Sequence, residues 1–137
     1  MSARTLPAIA IALLSFTVAA PSSAHHAFAA EFDAARPVSL QGTVTKVELI
    51  NPHSWIHIDV KDASGTTVAW MIEGGSPNSL FKRGVTKNSI PVGSELVVDG
   101  YQARDGSNRA VGRNIAFADG RPLFFIGSQP DGAAPPR

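Results

Sequence analysis

Asn51-Pro52-His53-Ser54-Trp55-Ile56-His57-Ile58-Asp59-Val60 is a turn that runs straight into a strand. From Trp55 onward the residues alternate, so that Ile56, Ile58 and Val60 face one way while Trp55, His57 and Asp59 face the other. A period of two places the first set in a core and sets an aromatic ring, an imidazole and a carboxylate side by side on the opposite face. That opposite face is suited to a polar binding surface.

Upstream, residues 38–50 read as a long strand in which Leu40, Gly42 and Val44 share one phase and Val47 and Leu49 the other. A one-residue slip of phase marks a bulge, here at Thr45-Lys46, and Gly42 permits sharp curvature. Downstream, Asp62-Ala63-Ser64-Gly65 is a turn by composition. It joins strand two to a third strand, residues 67–73, as an antiparallel hairpin. Gly74-Gly75 then lead into a short helix with Ser76 as its cap, Pro77 at its first position, Lys82 and Arg83 in its last turn and Gly84 beyond its end. Leu80 and Phe81 are placed to plug one end of the sheet. Residues 95–103 form a fourth strand and residues 109–118 a fifth, on which Val111, Arg113, Ile115 and Phe117 share a face.

Three strands, a short helix and two more strands, with the first strand bulged, predict an all-β chain. The architecture expected is a single five-stranded OB-like Greek-key barrel with one short helix between strands three and four. An immunoglobulin-like sandwich wants about seven strands and has no place for the helix. In barrels of this kind ligands sit on strands two and three and in the loops after strands one and four. Here that selects Asn51, Trp55, His57 and the loop 104–108, with Asp59 on the same face.

Residues 1–24 read as a signal peptide: Arg4 supplies the positive end, residues 6–20 are apolar, and Ser22-Ser23-Ala24 supplies small residues for cleavage after Ala24. Val18-Ala19-Ala20 fits a second cut, after Ala20. Removing 24 of the 137 residues leaves 113, enough for one compact domain. Residues 25–37 then form an N-terminal arm, 38–126 the barrel, and the Gly- and Pro-rich 127–137 a disordered tail. Loss of Arg4 lowers the basic count from 12 to 11, equal to the 11 acidic residues. A neutral exported chain without a basic run argues against nucleic acid. The periplasm or the exterior is the expected location, with no membrane span once the signal is removed. Cysteine is absent, so any metal must be held by histidine, carboxylate or backbone atoms.

The chain resembles an uncharacterised family of small secreted bacterial proteins, a domain of unknown function. The residues that carry the resemblance are His25-His26-Ala27-Phe28-Ala29-Ala30-Glu31-Phe32-Asp33, Gly42-Thr43-Val44 leading to Asn51-Pro52-His53-Ser54-Trp55, and Gly74-Gly75-Ser76-Pro77. The resemblance implies export and one β-rich domain, and assigns no reaction.

All four histidines fall in two pairs, His25/His26 and His53/His57. Cleavage after Ala24 makes His25 the first residue, whose α-amine and imidazole together chelate one metal ion, an arrangement that resembles the amino-terminal chelate of the copper polysaccharide monooxygenases. Nitrogen ligands in a tetragonal set suit copper(II). The expected metal ligands are therefore His25, His26 and either His53 or His57, with Glu31 and Asp33 as supporting oxygen donors. The plainer reading makes His25 and His26 solvated arm residues, His53 a turn residue and His57 a strand residue paired with Asp59. Phe28 and Phe32, four apart, pin the arm by two rings, with Trp55 as the expected docking surface. No nucleophile elbow, phosphate-binding Gly-rich loop or zinc-protease helix is present, so no catalytic residue is assigned. The leading expectation is a non-catalytic exported protein that binds copper or another transition metal. A metal-free module for a small ligand or a periplasmic protein partner is the alternative, and a copper-dependent redox enzyme a second.

Overall fold

The structure, a computed structural model, describes residues 28–123 and 125–127. The expected signal peptide, His25, His26 and residues 128–137 of the expected tail lie outside the described residues. Strand β1 (Phe32–Leu49) is followed by β2 (Ser54–Lys61), β3 (Thr67–Glu73), helix α1 (Pro77–Lys82), a 3-10 turn (Lys87–Ser89), β4 (Glu95–Ala103), β5 (Arg109–Phe117) and the two-residue β6 (Pro122–Leu123). The described residues are mostly β, apart from these short helical pieces and the helical residues 28–31.

β1 pairs antiparallel with β2 along one edge and with β4 along the other. β2 pairs with β3, and β4 with β5. Met71–Glu73 of β3 run parallel to Arg109–Val111 of β5, so the pairings return to their start in a ring, β3-β2-β1-β4-β5-β3. The register of β1 against β2 slips between Val44 and Lys46, which places the bulge at Thr45. Because of that slip, Val44 is buried in the core and Val38, Leu40, Val47 and Leu49 all pack against it. Ile56, Ile58, Ile72, Leu96, Val98 and Leu80 fill the same core.

Four expectations need correction. Strand one begins at Phe32, not at residue 38; Pro37 sits inside it, where the register against β4 is broken between Phe32 and Pro37. An irregular stretch of ladder spares the missing N–H of a proline. Secondly, Arg113 does not share a face with Val111, Ile115 and Phe117 in a regular strand. Asp99 opposes Asn114 while Gly100 opposes Gly112, so Arg113 is an extra residue in a second bulge. The slip turns Val111 away from the main core and Ile115 into it. Thirdly, Leu80 plugs the sheet but Phe81 is 50% exposed. Lastly, Phe28 and Phe32 do not dock on Trp55. They are buried with Ala103 and Val111, packed against Tyr101, in a small second core. The Phe28 and Phe32 ring centroids are 6.1 Å apart, and Phe28 meets the Tyr101 ring edge-on at 5.7 Å. Arg104 explains the change of surface: its N donates to Glu31 O at 2.9 Å and its Nη1 to Ala29 O at 2.7 Å, tying this segment to the end of β4.

Candidate functional site

The turn between β1 and β2 contains a cis Asn51-Pro52 peptide bond and is stitched to the Gly74-Gly75 pair: Ser54 N donates to Gly75 O at 3.1 Å and Gly74 N to Ser54 O at 2.8 Å. The two glycines are needed because the chain's later segment passes over them. A Cβ on Gly74 would overlap the Phe125 ring, and one on Gly75 would press on Ile126 O. Gly127 crosses the backbone of Glu73 and the side chain of Val111 just as closely, and its N–H donates to Gly112 O at 3.2 Å. Glu73, at the end of β3, is consequently shut in at 2% exposure although it carries a carboxylate.

His53 reaches that carboxylate, with Nδ1 3.1 Å from Glu73 Oε1, while its own side chain remains partly open to solvent. With Nδ1 directed at Glu73, Nε2 is the ring nitrogen left to meet a ligand. His57 is held differently. Its Nε2 lies 2.6 Å from Glu48 Oε2, and Lys46 Nζ lies 2.6 Å from Glu48 Oε1, in a half-open network on the outer face. Lys46 first, then His57, hold the Glu48 carboxyl below the usual glutamate range by hydrogen bonding to its charged form. Glu48 and Glu73 are the two cross-strand neighbours of Trp55, one on β1 and the other on β3. The two imidazoles therefore lean to opposite sides of β2.

Trp55, His53, Asn51, Pro52, Ile50 and Glu48 line a hollow of about 240 Å³. Asp59 belongs to a different hollow with Thr43, Lys61 and Glu95, and no hydrogen bond joins it to His57. Asp33 Oδ1 caps its own neighbour, accepting from Ala35 N at 2.9 Å. Glu31 is exposed and contributes its main-chain carbonyl to Arg104. Of the loop 104–108, Arg104 holds the segment at 29–31 and Asp105 braces its own turn through Ser107 N and Arg109. Among the described residues no group of three His, Cys, Asp or Glu side chains is arranged to hold a metal. The expected ligands are thus divided: His53 is presented, His57 is engaged on the other side, and His25 and His26 lie outside the described residues. Glu73 and Glu48 were missed from the sequence. The one signal for Glu73 is an acid closing the apolar run Val68 to Ile72 just before two glycines.

These features define a mostly β domain in which a buried carboxylate, Glu73, holds a turn histidine. The chain belongs to the family described as "Family of unknown function (DUF6152)", whose model matches residues 12–113. No curated protein and no solved structure matches it. Among the described residues no helix is long and apolar enough to cross a membrane.

Proposed function

We propose that this is an exported, non-catalytic domain, built as an OB-like Greek-key barrel, that binds a transition metal, copper(II) first, through His25, His26 and His53. The barrel reading rests on the ring of pairings and the parallel β3–β5 contact that closes it. The metal reading rests on one chain of neighbours. Phe28 is buried in one cluster with Val111; Val111 is the register partner of Glu73; and Glu73 holds His53. His25 precedes Phe28 by three residues, a span of at most about 10 Å, and the metal reading requires that span to bridge to His53. A carboxylate that fixes the far nitrogen of an imidazole is the usual support of a metal-binding histidine. His53 is preferred over His57 because its carboxylate partner Glu73 is buried while its own ring stays partly open to solvent.

A second reading, a small-ligand or protein-partner module without metal, draws on the hollow at Trp55, beside which Ile50 is 61% exposed. Calorimetric titration of the exported protein with copper(II), its first residue established by mass spectrometry, separates the two. We expect His53→Ala and His25→Ala each to weaken copper binding by at least about tenfold, and His57→Ala to leave it unchanged. Unchanged affinity in both of the first two variants, or a chain that starts at Pro21, overturns the metal reading.

A further inference from the structure

We propose that the hollow between the early part of β1 and the bulge of β5 binds a small monoanionic carboxylate through Arg113 and Tyr101, independently of the histidines. The hollow measures about 400 Å³ and is lined by Ser39, Asp99, Tyr101, Arg113 and Asn114 among others. Arg113 is the extra residue of the β5 bulge, and a bulge re-aims the side chain it carries. Two other arginines of the β5 region have carboxylate partners, Arg109 with Asp105 and Arg121 with Asp119. The half-buried Arg113 has none among the described residues. Its Nε is closed off from solvent without an acceptor, and among the described residues its one hydrogen bond runs from Nη1 to Tyr101 Oη at 3.3 Å. A cation drawn partly out of water without a directly paired carboxylate costs free energy that an incoming anion would offset.

The remaining donors favour a planar oxyanion. With Nε occluded, the hydrogens of Nη2 and the Nη1 hydrogen not given to Tyr101 remain to meet the two oxygens of a carboxylate. Tyr101 accepts from Arg113, which leaves its own hydroxyl hydrogen to donate to the same ligand. The edge contact with Phe28 fixes the Tyr101 ring. Asp99 in the same hollow sets the charge: it repels a dianionic phosphate more than a carboxylate of single charge.

The test uses the exported protein freed of metal by chelator, titrated at constant ionic strength with sodium acetate and separately with inorganic phosphate. Nitrogen-edited NMR follows the Arg113 Nε–H and the Asn114 amide. Expected are saturable acetate shifts, a loss of at least about tenfold in Arg113→Lys, a smaller loss in Tyr101→Phe and a gain in Asp99→Asn. Shifts linear in acetate, tighter binding of phosphate than of acetate, or wild-type affinity in Arg113→Lys overturns the proposal. Should Arg113→Lys not fold, Tyr101→Phe and Asp99→Asn decide it, since they must move the affinity in opposite directions. Equal affinity in both overturns it.

Discussion

Phe28 and Phe32 contribute the same ring to the same small core, yet their removal should have different consequences. A buried phenyl ring withdraws roughly 150–250 Å² from water, about 4–6 kcal/mol at ~25 cal/mol per Å². Phe32 is 1% exposed and is the β1 residue paired with Ala103, so it cannot leave its site without opening the ladder. Phe32→Ala should therefore show the full core penalty of about 3–5 kcal/mol. Phe28 instead sits on the four helical residues 28–31, which can undock as a unit. Ordering those residues costs roughly 1–2 kcal/mol each, against the ring's burial and the two Arg104 hydrogen bonds at about 1 kcal/mol each. The terms cancel to within a few kcal/mol, so Phe28→Ala should release the segment and lower global stability by only about 1–2 kcal/mol. Urea unfolding followed by Trp55 and Trp70 fluorescence measures the global term. Hydrogen exchange of the Arg104 amide, which is bonded to Glu31 O, reports the segment. Equal losses above ~3 kcal/mol in both variants, or an unchanged Arg104 exchange rate in Phe28→Ala, would refute the reasoning.

Gly74→Ala should cost about 1–3 kcal/mol and expose Phe125, because the added methyl occupies the space of a ring that is fully buried; the urea midpoint checks the first effect and a hydrophobic dye the second. Glu73→Gln keeps the shape beside His53 but weakens the acceptor. It should lower copper affinity by about 10- to 100-fold while the Trp55 emission of the metal-free protein stays as in wild type. For Glu48 the folded carboxyl titrates below its ordinary value, so its contribution to stability is present above that value and disappears as pH falls through the folded one. Glu48→Gln should flatten the acid side of the stability profile and leave the neutral region nearly parallel to wild type; an unaltered acid limb in urea midpoints against pH would count against it.

Much of the frame was legible locally. Alternation in residues 55–60 gave the buried face of β2, and the change of phase after Val44 gave the Thr45 bulge. Asp62 marked the hairpin turn it holds by accepting from Ser64 N and Thr66 N. Ser76 and Pro77 marked the start of α1, where Ser76 Oγ accepts from Ser79 N. Each of these signals lies within a few residues of the structure it specifies. The second bulge escaped because Arg113 among Val111, Ile115 and Phe117 preserves an unbroken alternation, and only the partner strand shows that a residue is left over.

The sequence by itself determined the strands, the hairpin, the capped helix and the β-rich class, since periodicity and turn chemistry are properties of neighbouring residues. Tertiary structure alone decided that Glu73 holds His53, that Glu48 draws His57 the other way, and that Phe28 rests beside Tyr101 and Val111. Those contacts join strands far apart in the chain, and their register is fixed by the bulges and by the closing β3–β5 pair. One residue of slip would turn every such side chain to the opposite face.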